Sequence, residues 1–146
     1  MENGLLVHKH LIVRAECLQP HQDEQTSINW LYDFIKFVNM KPMIGPFSKY
    51  LDMPGNRGLT TAAIIETSHC VIHIWDEPNP ALLQFDLYSC GPFDPEEVCE
   101  KIKKDFDCTK IEYKFIDRES NLTLLNRTPK NTETSNCVIN DDSCWI

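Results

Sequence analysis

The sequence predicts an α+β fold, a two-layer sandwich in which a mainly antiparallel sheet carries two helices on one face. Three observations lead there. Two segments place apolar residues at helical spacing behind a capping residue. Several others alternate or run apolar over strand lengths. The strand-like runs cluster mid-chain as hairpins rather than alternating one by one with helices. Such a sheet leaves one face bare. A second copy of the chain is the economical cover, so a homodimer is expected.

The first element, Leu5 to Cys17, is a strand. Val7, Leu11, Val13, Ala15 and Cys17 share one face, and His8, His10, Arg14 and Glu16 share the other. Gln19 to Gln25 contains Pro20 and polar residues and is a loop, with His21 on its surface. Ser27 to Met40 is an amphipathic helix with Ile28, Leu31, Tyr32, Ile35 and Val38 on its apolar side, capped by Thr26 or Ser27. Met43 to Tyr50 holds a short strand, and Pro54-Gly55-Asn56-Arg57-Gly58 is a strong turn signal. Two β-rich runs follow, Leu59 to Trp75 and Leu82 to Cys90. Two prolines in their connector, Asp76 to Pro80, favour a loop over a tight hairpin. Asp94 caps a second helix with Pro95 at its first position, and Val98, Ile102 and Phe106 line one side. Ile111, Tyr113 and Phe115 alternate in a last strand. The sequence then turns polar, so residues 1–118 are expected to form the domain. Residues 119–146 are read as a polar tail, ordered only where Cys144-Trp145-Ile146 docks.

Composition narrows the function. The chain has 146 residues, 42% hydrophobic and 25% charged, which is ordinary for a globular protein. At this size about 70% of the unfolded chain's surface becomes buried, enough for a core without covalent staples. No apolar stretch reaches the ~20 residues of a membrane-spanning helix, and the N-terminal run is interrupted by His8, Lys9, His10 and Arg14 instead of having a secretory layout. A cytoplasmic location with no membrane association is expected, and the odd count of seven cysteines then indicates reduced thiols. A formal charge of −8 argues against nucleic acid and suits a cationic small molecule.

Reactive side chains are densest in Glu66-Thr67-Ser68-His69-Cys70-Val71-Ile72-His73, with Cys90 on the next strand. Taken alone, these residues leave several chemistries open. A metal site could draw on His8, His10, His69 and His73, but no Cys-x-x-Cys or His-Glu-x-x-His spacing is present and no metal is expected. A hydrolase is disfavoured, since Ser68 and His69 point to opposite faces of a strand and no Gly-x-Ser-x-Gly elbow occurs. Packing alone accounts for His8, His10, Cys17, Cys99 and Cys108.

Residues 58–93 carry an ordered motif: Gly58-Leu59-Thr60, then Ser68, His69, His73, Trp75 and Glu77, then Asp86, Tyr88, Cys90 and Gly91. This pattern resembles the small, bacterial-type S-adenosylmethionine decarboxylase family, and the element order matches over residues 4–117. The resemblance implies a proenzyme. Ser68 attacks the carbonyl of Thr67 to give an ester. Loss of the Ser68 α-proton then drives β-elimination and chain cleavage, and the new terminus becomes a pyruvoyl group, the cofactor. By the same resemblance, His73 assists the elimination and Thr60 the acyl shift. Cys90 returns a proton to the substrate after decarboxylation through a Schiff base, and Glu77 binds the ribose hydroxyls. The substrate implied is S-adenosylmethionine, and the product feeds spermidine synthesis. Thr67 stands where the family has Glu, which keeps open an unprocessed, non-catalytic binding or regulatory homologue. Asp76 replaces the family's Pro and the following connector is two residues longer, which keeps open a pyruvoyl-dependent decarboxylase of arginine or ornithine.

Overall fold

Leu11, Val13, Ala15 and Cys17 are buried, while the residues between them are not, so strand β1 (Lys9–Cys17) turns one side to the core. The computed structural model describes residues 7–129. After β1 come α1 (Glu24–Phe37), β2 (Pro42–Leu51), β3 (Gly58–Ile65), β4 (Ser68–Trp75), β5 (Ala81–Ser89), α2 (Pro95–Asp105), β6 (Cys108–Asp117) and β7 (Leu124–Arg127). The strands form one sheet in the order β2-β3-β4-β5-β1-β6-β7, and every neighbouring pair is antiparallel. Both helices pack on the same side, α1 over β2 and β3 and α2 over β1 and β6. The expected α+β architecture is therefore present. No described helix is long and apolar enough to cross a membrane.

The core lies between the helices and the sheet. Leu31, Phe34 and Ile35 of α1 and Val98 and Ile102 of α2 are fully buried against alternate residues of the strands. Aromatic rings hold the two helices together: Trp30 meets Phe34 at 5.2 Å and Phe106 at 5.0 Å, and Phe34 meets Phe85 edge-on at 5.1 Å. The Trp30 indole N–H also donates to Asp105 at 2.9 Å, linking α1 to α2. The fully buried polar residues Ser27, Thr61 and Ser89 are hydrogen-bonded. Thr61 Oγ1 lies 2.6 Å from the Ser27 hydroxyl and 2.8 Å from that of Ser48, so no donor is stranded under α1.

The structure corrects several expectations. Helix α1 starts earlier, because Asp23 is the cap: its carboxylate accepts from the Thr26 N–H at 2.8 Å and the Thr26 hydroxyl at 2.7 Å. The run from Leu59 to Trp75 is two strands joined by a two-residue turn, Glu66-Thr67. The stretch after residue 118 contributes β7, an exposed edge strand pairing with β6, as well as polar chain. Cys144-Trp145-Ile146 lies outside the described residues. His21 is not a free surface residue, since its ring packs 4.5 Å from Phe106 and 5.9 Å from Trp30. Burial pushes its pKa below 6.5, against the pull of Asp23 and Asp105. Burial also raises the thiols of Cys17 to about 11 and of Cys99 and Cys108 to about 12, which makes them inert packing groups.

Two outcomes follow. Phe34→Ala should lose about 3–5 kcal/mol in urea unfolding, because the ring fills the centre of the aromatic cluster. His21 has a depressed folded pKa, so its contribution to stability is complete above 6.5 and is lost as pH falls through the lower folded value. Urea midpoints measured across that window should fall for the wild type and stay flatter for His21→Gln.

Candidate active site

Antiparallel pairing sets the site's geometry. Ile65 of β3 pairs with Ser68 of β4, leaving Glu66 and Thr67 to turn the chain. The turn contains no glycine, and the left-handed backbone falls instead on Ser68, with φ +141°. That conformation is strained for a residue with a side chain, at a cost of about 1–3 kcal/mol, and such strain collects at functional sites. On its other side, Ser68 pairs with Ser89 of β5. The next residue, Cys90, therefore meets the turn. Its N–H donates to the carbonyl oxygen of Thr67 at 2.9 Å, and its own carbonyl accepts from Val7 at 2.9 Å. The peptide unit before Ser68 thus has a polarised carbonyl next to a strained hydroxyl-bearing residue. The Thr67 hydroxyl is buried with no hydrogen-bond partner. Cys90 is partly exposed, unlike the buried Cys17, Cys70 and Cys99.

Thr60 and His73 are cross-strand partners on β3 and β4, with Thr60 Oγ1 2.9 Å from His73 Nδ1. The His73 ring also lies 5.8 Å from Trp75. His73 lies five residue steps along β4 from Ser68, about 16–17 Å at strand rise. Within one chain, then, Ser68 sits with Cys90 and Thr60 with His73, and the two pairs do not meet.

Glu77 belongs to a third group, built on the loop before β3. One carboxylate oxygen accepts from Arg57 N–H at 2.8 Å and the other from Gly55 N–H at 3.1 Å. These bonds hold its carboxyl below the usual range. Trp75 Nε1 donates to Asn56 at 2.8 Å, and Arg57 pairs with Asp52 at 2.6 Å. Asp76 accepts from the Tyr50 hydroxyl at 2.8 Å, which raises the tyrosine pKa. The acid at this position is therefore engaged in holding the connector to β2.

One cluster was not visible in the residue spacings. His10 of β1 and His69 of β4 flank Asp86 of β5, with Nε2 atoms 3.1 and 3.3 Å from the same carboxylate oxygen. Burial pushes the Asp86 carboxyl up, but the two imidazoles outweigh it and hold it below its ordinary value. Beside them, His8 Nδ1 lies 3.0 Å from the Tyr88 hydroxyl, and the Arg118 guanidinium stacks 3.7 Å from the Tyr88 ring. The signal that would have found this cluster is strand alternation combined with register, which requires the sheet order.

The sequence profile of the family described as S-adenosylmethionine decarboxylase matches residues 9–119. A Pyrobaculum aerophilum protein named S-adenosylmethionine decarboxylase proenzyme is 32% identical over 98 residues, 66% of this chain and 74% of that protein. The Pyrobaculum islandicum protein of the same name is 34% identical over the same extent. A Clostridium botulinum protein of that name is 35% identical over 63 residues, 42% of this chain and 53% of its own length. The chain thus spans about half the length of that relative. With the profile running from β1 to the end of β6 across the motif-bearing strands, the chain belongs to the S-adenosylmethionine decarboxylase family.

Proposed function

We propose that this chain is the proenzyme of a pyruvoyl-dependent S-adenosylmethionine decarboxylase that cuts itself between Thr67 and Ser68. The observation that carries this reading is the peptide unit of the turn: a strained Ser68 preceded by a carbonyl already bonded to the Cys90 N–H. Attack of Ser68 Oγ on that carbonyl carbon develops negative charge on the oxygen the N–H faces, and a fixed donor there lowers the barrier. The C–N bond then breaks and the backbone strain at Ser68 is released. Removal of the Ser68 α-proton expels the Thr67 carboxylate, and hydrolysis of the new N-terminus with loss of ammonia leaves the pyruvoyl group. Thr67 in place of Glu does not obstruct this route, because the reacting carbonyl belongs to the backbone.

Ser68 fits as precursor because it begins β4 at a half-buried strand end beside Cys90. When formed, the pyruvoyl group acts as an electron sink for the substrate's carboxylate loss. Cys90 returns the proton to the substrate α-carbon, a task suited to a partly exposed thiol. Glu77 uses one acceptor site on each oxygen for the loop and keeps others for ribose hydroxyls. The net charge of −8 favours the cationic sulfonium. We place the product in spermidine synthesis and the enzyme in the cytoplasm, where Cys90 stays a free thiol.

The distance between Ser68 and His73 makes a second copy part of this proposal. The bare side of the sheet exposes Ile12, Ile44, Phe47, Leu51, Ile64 and Leu124, an apolar band on the face that also bears Thr60 and His73. A second chain laid across it buries the band and brings one chain's Thr60–His73 pair toward the end of the other's sheet, where the β3–β4 turn lies.

Intact mass spectrometry of the purified protein should show fragments of residues 1–67 and 68–146, the latter bearing a pyruvoyl terminus. Ser68→Ala should remain one chain of 146 residues. A single uncleaved wild-type species with no carbonyl-reagent adduct would establish the non-catalytic reading instead. Turnover of arginine or ornithine but not S-adenosylmethionine would assign the other substrate class. Co-expression of Ser68→Ala with His73→Ala chains should restore cleavage of the His73→Ala chain alone. Restoration of neither chain would place His73 outside trans processing.

A further inference from the structure

We propose that His10, His69 and Asp86 form a binding site for a zinc-class divalent cation on the bare face of the sheet. The three candidate ligand atoms lie within 4.8 Å of one another. Both imidazole Nε2 atoms approach Asp86 Oδ1, at 3.1 and 3.3 Å. Tetrahedral zinc with bonds of ~2.0–2.1 Å to nitrogen and oxygen places neighbouring ligands about 3.3–3.4 Å apart. Two edges of that figure are therefore already in place, and the third, between the two imidazole nitrogens, is no longer than 4.8 Å.

The donors come from three different strands, β1, β4 and β5, which share one rigid antiparallel register. The backbone thus preorganises the set. Two imidazoles and one carboxylate suit zinc or a neighbouring transition ion, whereas magnesium and calcium prefer all-oxygen shells. In the single chain the side chains of His10, Asp86 and His69 keep 21%, 34% and 37% of their exposure, so an ion can reach the three donors. Cys70 on β4 belongs to the opposite, core-facing side and is buried, so it does not compete for the ion from this face.

The test uses the purified full chain. After equilibration with zinc and gel filtration, elemental analysis should find one zinc per chain. Cobalt loading should give visible ligand-field bands without thiolate-to-cobalt charge transfer. Asp86→Asn and His69→Gln should each weaken zinc binding by about 100-fold or more, beyond the 10–100-fold cost of losing an outer-shell partner. No retained zinc, a thiolate charge-transfer band, or unchanged affinity in Asp86→Asn would each overturn the site. The cobalt spectrum is read on the wild type, so it decides the matter even if a variant does not fold. None of these readouts involves decarboxylation or chain cleavage, so this site and the proposed activity stand or fall separately.

Discussion

The register of β4 between β3 and β5 is the constraint on which the rest of the site depends. It sets Ser68 opposite both Ile65 and Ser89, and so brings the Cys90 N–H onto the Thr67 carbonyl. It also sets Thr60 against His73 and brings His69 to Asp86. A slip of one residue would move every β4 side chain to the opposite face and break all three relations together. The alternation of buried Cys70, Ile72 and Ile74 against helix-side neighbours prevents that slip, because it would expose three core residues at once. The apolar half of the strand thus positions its chemical half.

The two faces of the sheet do different work. The helix side is mostly apolar, with a paired hydroxyl trio beneath α1 and its thiols raised out of reactivity by burial. The other side mixes exposed isoleucines and a phenylalanine with histidines, acids and a stacked Arg118–Tyr88 pair. The packed core is built on one face, and the exposed reactive side chains gather on the other.

Much of the fold could be read from periodicity alone: the β1 alternation, the apolar stripes of both helices and the Asp94-Pro95 start of α2 are all present. The β3–β4 turn could not be read that way. Glu66-Thr67-Ser68 contains no Gly, Asn, Asp or Pro to announce a hairpin, and the positive φ falls on a serine. Periodicity does not fix the start of α1, because three potential caps, Asp23, Thr26 and Ser27, stand close together and only the bonding pattern ranks them. The ordered motif identified Ser68, His73, Cys90, Thr60 and Glu77 as a set. Spacing carries no information about which members touch, and the folded chain divides them into three groups. Arg118, His10 and Asp86 gather from distant stretches, which is a property of sheet order rather than of any local pattern.

The turn between β3 and β4 lies at the end of the sheet, and each strand is bonded on both sides, β3 to β2 and β4 and β4 to β3 and β5. The covalent link there is therefore mechanically redundant. A chain opened at this point would keep the eight-residue ladder that joins the two halves, along with the shared core. Neither half could leave without unzipping the middle of the sheet. Opening the backbone would free two new termini to rearrange locally, while the body of the protein would hold its shape as a permanently paired heterodimer of its own pieces.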